Sequence, residues 1–176
     1  MSRDDLLVFL IAAAALGGLA LSARRTGPQA GAGPSFAPTI ARPGKWFAWE
    51  ELYSDEPTPA VAQNLLALVT NTLDPLRERL GRPVIVTSGY RTHDHNQDVG
   101  GDSHSQHLTG QAVDILVTGM SSQQLAQAVA AYVPFDKLIF YAPSRGGHVH
   151  VSYVTGGNRR AILYAPPTGG YQEARA

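Results

Sequence analysis

The stretch Ser105-Gln106-His107-Leu108-Thr109-Gly110-Gln111-Ala112-Val113-Asp114-Ile115-Leu116-Val117 sets two side chains with lone pairs, His107 and Asp114, on either side of a glycine. On one continuous helix they would stand two turns apart, about 10.5 Å along the axis, too far for both to bond one metal ion at roughly 2 Å. Gly110 allows the chain to turn. The residues after it are apolar and partly β-branched, which predicts a strand. His107 is therefore expected on a loop and Asp114 on the strand that follows. A carboxylate within Ala-Val-Asp-Ile-Leu-Val is buried by its neighbours and must be paired or bound to a cation.

Further along, His148, His150 and Ser152 alternate with Val149, Val151 and Tyr153, the period of a strand, so both imidazoles project from one face. Two imidazoles and a carboxylate are the ligand set of an open catalytic zinc site, in which the fourth position is left to water.

The remaining pattern predicts an α+β domain over residues 46–165, with helices packed on a largely antiparallel sheet. Residues 46–52, Trp-Phe-Ala-Trp-Glu-Glu-Leu, open it with aromatics expected to pack on the core. Leu65, Leu66, Val69, Leu73, Leu76 and Leu80 recur at spacings of three and four, a helix over 59–80 that Asp74-Pro75 should kink or restart and Gly81 should end. Residues 84–88 form the first clear strand. A second helix over 121–132 has Ser121 at its cap, and strands follow at 137–141, 148–154 and 159–164. The tail 166–176 is expected to be loose.

Ser88-Gly89-Tyr90-Arg91-Thr92, Asn96, Val99-Gly100-Gly101, Ser105-x-His107-x-x-Gly110-x-Ala112-x-Asp114 and His148-x-His150 together resemble the zinc D-alanyl-D-alanine carboxypeptidase family. That family includes bacterial peptidoglycan carboxypeptidases and phage endolysins that cut stem peptides, and it shares a metal-site architecture with the hedgehog signalling domain. The resemblance covers roughly residues 46 to 155, and several separated motifs in order make it more specific than one short pattern. It implies one zinc ion held by His107, Asp114 and His150. It implies His148 as the histidine beside the metal that moves protons, and Arg91, with Ser105 and Tyr90, on the substrate side. Some relatives carry a glutamate three residues before the last ligand, where this chain has Gly147; others carry an aspartate two residues after it, where this chain has Ser152. The base is assigned first to His148, since a positioned imidazole titrates near neutral pH. Asp102 and Asp136 are the alternatives. The resemblance implies a zinc-dependent peptidase that hydrolyses peptidoglycan stem peptides or cross-links, with D-alanyl bonds the first substrate class. A catalytically silent zinc-containing peptidoglycan-binding module and a structural virion membrane protein are the other readings.

His93, His95 and His104 lie in a polar, Asp/Asn/Gly-rich stretch that reads as a solvated loop, and Gly100-Gly101 as its turn. The chain has 176 residues, 44% of them hydrophobic, enough for one core. Its formal net charge of zero carries no sign of a nucleic-acid partner. Without cysteine, any zinc must be held by His and Asp. Residues 6–21 are an uncharged run that, with Ser22 and Ala23, would span about 27 Å as a helix, just enough for a single pass through a membrane. Residues 1–25 are thus expected to form a membrane anchor or signal-anchor helix, with signal cleavage and secretion the competing reading. Arg24-Arg25 against Arg3 weakly favours a cytoplasmic domain by the positive-inside rule. A wall hydrolase needs the opposite side, and a signal anchor that later releases, as in some phage endolysins, or a tether in a virion membrane would reconcile the two. Residues 26–45, rich in Gly, Pro and Ala, read as a flexible linker. The oligomeric state is left open.

Overall fold

The computed structural model describes residues 41–175. The apolar run at 6–21 and the linker up to residue 40 lie outside the described residues. Among the described residues, no helix is long and apolar enough to cross a membrane.

The domain is α+β, as expected. Its six strands are β1 (Ile85–Ser88), β2 (Ala112–Leu116), β3 (Lys137–Tyr141), β4 (Val149–Ser152), β5 (Ala161–Ala165) and β6 (Gln172–Glu173), and they form one sheet in the order β1-β2-β4-β3-β5-β6. Four of the neighbouring pairs are antiparallel, but β3 and β5 run parallel. Chain order explains that departure from the expected pattern. β3 and β4 form a hairpin and β2 occupies the far edge of β4, so β5 takes the open edge of β3. Having reversed direction after β4, β5 then runs the same way as β3.

Alternation gives the sheet two unlike faces. Val113 and Ile115 of β2, Leu138 and Phe140 of β3, and Val149 and Val151 of β4 join one hydrophobic cluster with the helices. α1 (Pro59–Leu68) and α2 (Asp74–Leu80) supply Leu65, Leu68 and Leu76, and α4 (Ser122–Tyr132) supplies Leu125 and Val129. Phe47, Trp49 and Leu52 close this core, as expected of the opening aromatics, whereas Trp46, expected there too, is 39% exposed beneath Lys45 and Arg77.

The kink expected at Asp74-Pro75 takes the form of a π-helical turn at Val69–Leu73 that joins α1 to α2. Pro75 has no N–H to donate and its ring crowds the carbonyl four residues back; one wider turn before it relieves both problems without breaking the helix. Gly81, in the left-handed region at φ 61°, ends α2. Ser121 caps α4 in a capping box with Gln124.

Three stretches differ from the sequence reading. The stretch read as a solvated loop contains α3 (His93–Asp98), capped by the Thr92 side chain. The end of the stretch read as a linker is held against α2: Pro43 is buried, the Lys45 N–H donates to Asp74 Oδ2 at 2.6 Å and the exposed Lys45 ammonium pairs with Glu78 at 2.8 Å. The tail after Pro166, expected to be loose, carries β6, whose pairing with β5 gives its backbone groups partners.

Candidate metal centre

The second face of the sheet holds the site. Asp114 on β2 and His150 on β4 are direct cross-strand partners, so both side chains rise from the same point of that face. His107 reaches them from the 3-10 turn Gln106–Thr109, whose start is capped by the Ser105 hydroxyl, accepting from the His107 N–H at 3.4 Å. Gly110 ends that turn at φ 69°, and a Cβ there would come within 2.7 Å of the Val61 carbonyl oxygen. Left-handed backbone and close approach to α1 both require glycine at that position. His107 thus sits on a short turn and Asp114 on the strand after it, as anticipated.

The three ligand atoms form a nearly equilateral triangle. His107 Nε2 stands 3.1 Å from His150 Nδ1 and 3.3 Å from Asp114 Oδ1, and His150 Nδ1 stands 3.2 Å from that same oxygen. Donors bound to a tetrahedral zinc at about 2.05 Å are about 3.3 Å apart, so the spacing fits zinc without rearrangement. The hydrogen-bond chemistry points the same way. His107 Nδ1 lies 2.7 Å from the Gly89 carbonyl and must carry the proton it donates there, which leaves a bare lone pair on Nε2. Three mutually facing acceptors are more than one proton on His150 can satisfy; a cation at their centre satisfies all of them.

All three ligands are buried, with Asp114 only 8% exposed. Burial by itself would raise the Asp114 carboxyl, but its place opposite His107 and His150 outweighs burial and holds the group well below the usual carboxylate range. Burial pushes His150 below the ordinary imidazole value, against the pull of Asp114. The strands therefore present a carboxylate and a neutral imidazole, the forms a metal needs.

Arg91 supports the triangle from outside. Its Nη2 donates to Asp114 Oδ2 at 2.7 Å and its Nε to Ser88 Oγ at 2.8 Å, while Nη1 takes no partner among the described residues. His148 is half-buried and stacked on Tyr141, ring centroids 4.1 Å apart. Burial lowers its pKa first of all; Asp114 raises it, and Arg91, His107 and Arg145 add to the lowering.

These groups open into a cleft of about 470 Å3 whose lining includes Arg91, Ser105, Asp114, His148 and His150. Tyr90 lies instead on the neighbouring cavity, which shares Arg91 and Val99 as a wall. The half-buried His95 lines that second cavity too, whereas His93 is exposed. His104 stands at the rim of the metal cleft with its side chain 95% exposed. Of the alternative bases, Asp102 is on the same rim, its side chain 79% exposed. Asp136 is fully occupied by Arg159 and by the Gln106 amide, which donates to it at 3.0 Å. Gly147 has no side chain to offer, and the Ser152 hydroxyl is buried against the backbone of Lys137.

Sequence reasoning missed several residues of the cleft. Lys137, Ile139 and Tyr141 are the alternate positions of β3 and line it, as do Arg145 and Tyr171. The period of β3 could have identified the first three, once its place beside β4 was known. The Gly89 carbonyl that orients His107 is a backbone group with no side-chain signature.

Two comparisons with known proteins bear on this centre. The zinc D-Ala-D-Ala carboxypeptidase of Streptomyces albus G is 34% identical over 105 residues, a stretch that makes up 58% of this chain and 40% of that protein. The chain thus spans about two fifths of that relative's length. Zinc is the cofactor that both the relative and the donor triangle indicate. A family model described as Peptidase M15 matches residues 47–152, a stretch that runs from the first core aromatic to two residues past the last ligand, and by that match the chain belongs to the Peptidase M15 family.

Proposed function

We propose that this protein is a zinc-dependent peptidase of peptidoglycan stem peptides, with D-alanyl bonds its first substrate class and carboxypeptidase or endopeptidase action as its two forms. One observation carries the reading: the preformed triangle of His107, Asp114 and His150, spaced for a tetrahedral ion, lies in the wall of an open cleft. Zinc in that triangle supplies Lewis acidity toward a carbonyl oxygen and makes water a nucleophile near neutral pH. The chain's own residues do the rest. The Gly89 carbonyl and Arg91 orient His107 and Asp114. Arg91, through its uncommitted Nη1, stabilises negative charge that develops on a substrate oxygen. His148, held against Tyr141 and favouring the neutral form, accepts a proton and returns it to the leaving amine. Ser105, at the start of the His107 turn, faces substrate from the cleft wall.

The test is mass spectrometry of purified peptidoglycan incubated with the intact chain, with chelated protein and with His150→Ala. Loss of a terminal alanine or a cut cross-link, abolished by chelator and restored by zinc, is expected. An unchanged wall from folded, zinc-loaded protein would instead favour a zinc-containing binding module. The observation behind that second reading is the absence of a carboxylate at Gly147 and Ser152.

The proposal extends to location. The uncharged run at residues 6–21 is taken as a single-pass membrane tether that presents the domain to the wall, in a phage lysis or virion setting or in a bacterial envelope. Fractionation of cells expressing the chain with and without residues 1–25 checks it: the full chain should pellet with membranes and the shortened chain should not.

A further inference from the structure

The stretch matched by the family ends at Ser152, yet the cleft does not. Tyr171, in the segment that leads into β6, stands on its wall with 55% of its surface exposed. Its hydroxyl lies 3.2 Å from that of Tyr141, and the two rings meet edge to face at 6.3 Å and 88°. Arg145, in the turn between β3 and β4, places its guanidinium over both rings, 5.4 Å from the Tyr141 centroid and 6.0 Å from that of Tyr171. Its Nη1 also reaches the carbonyls of Pro166 and Gly169 at 3.4 and 3.5 Å. The turn and the tail are thereby tied together at one end of the cleft. The Tyr141 ring is at the same time the platform under His148, two residues from the ligand His150.

Charge gives this corner its chemistry. Among the described residues, neither Arg145 nor Lys137 of the same cleft forms an ion pair with a carboxylate. The carboxylates of the cleft are Asp114, committed to the triangle and Arg91, and Asp102 on the solvated rim. The cleft therefore holds cations in search of an anion. Between two facing phenols one donates to the other, and the accepting phenol keeps its own O–H for a third group. Burial, then the contact with Tyr171, push the Tyr141 phenol upward, so it remains a donor.

We propose that Arg145, Tyr141 and Tyr171 form a carboxylate subsite that takes the free C-terminal carboxylate of a substrate peptide. A guanidinium beside a phenolic O–H matches a carboxylate with charge-assisted hydrogen bonds. The tie between turn and tail makes a wall at that end, which suits a chain that stops there over one that continues. The inference rests on the peptidase reading and deepens it toward removal of terminal residues.

Calorimetric titration of the zinc-loaded intact chain tests it without relying on turnover. The probes are N-acyl-L-lysyl-D-alanyl-D-alanine, with a ketomethylene group in place of the amide between the two alanines so that it cannot be hydrolysed, and the C-terminal amide of the same compound. The acid should bind at least about tenfold more tightly than the amide, the worth of one charge-assisted hydrogen bond. In Arg145→Gln the acid should lose about tenfold while the amide stays within about twofold, and Arg145→Lys should recover part of the loss. Because Arg145 also holds the tail, Tyr171→Phe serves as the second variant: it keeps the ring and removes the hydroxyl, and should weaken the acid alone. Equal binding of acid and amide by the wild type, no binding of the acid, or an equal loss for both probes in Arg145→Gln would overturn the subsite. Wall digestion by the same preparations separates the two readings. Undigested wall with the acid preference intact removes the peptidase and leaves the subsite, whereas digestion with a preference indifferent to Arg145 does the reverse.

Discussion

The two faces of the sheet come from the same strands and share almost nothing else. On β2, β3 and β4 one set of alternate residues, Val113, Ile115, Leu138, Phe140, Val149 and Val151, is packed under the helices. The other set, Asp114, His150, Lys137, Ile139 and Tyr141, lines the metal cleft. Stability and chemistry are thus carried by neighbouring residues that point in opposite directions. A substitution on one face should leave the other face's property largely intact.

The largest expected effect is on the open face. His150→Ala should lower activity by about 10^3-fold or more, with bound zinc measured by elemental analysis falling in step. Leu138→Ala, one position from the cleft row but on the packed face, should cost about 3 kcal/mol in denaturant unfolding and leave zinc content unchanged. Arg91→Met falls between the two classes. It strands a mostly buried carboxylate, so the metal-free protein should lose about 2 kcal/mol, and added zinc should restore much of that loss in a thermal melt. Equal losses with and without zinc would mean that the arginine serves packing alone.

The smallest effect concerns Asp136, whose carboxyl is lowered to about 2, first of all by its hydrogen bond to Arg159. A carboxyl with a depressed folded value stabilises the fold above its unfolded pKa, and that contribution disappears as pH falls through the folded one. The window is therefore about pH 4 down to about 2. With Arg159 largely solvent-exposed, the contribution is about 1 kcal/mol. In Asp136→Asn, urea midpoints should lose that part of their decline between those pH values.

Local pattern made half of this molecule legible and left the other half hidden. The alternation around Asp114 and His150, and the glycine between His107 and Asp114, were sufficient to expect the donors on a turn and two strands, because those periods are local; that His150 rather than His148 completes the triangle came from the family resemblance. The parallel β3–β5 pair had no such signal, since it depends on which strand edge is already taken. α3 escaped notice because a six-residue helix with Asn96 as its buried residue has no apolar stripe. Tyr141, Arg145 and Tyr171 come together only because β5 and β6 fold back beside β3, and nothing near Tyr171 in the sequence points to a metal.

The pairing of Asp114 with His150 also guards against misfolded alternatives. A one-residue slip of either strand would turn its charged or imidazole side chain into the apolar layer and push its valines or isoleucine into water. Expelling the two apolar residues of one strand, Val113 and Ile115 or Val149 and Val151, would cost about 3 to 6 kcal/mol. A one-residue slip leaves no three-donor metal site, so zinc would reward the correct pairing over that near miss. The ion that serves chemistry in the finished protein would then also act as a proofreader while the chain folds.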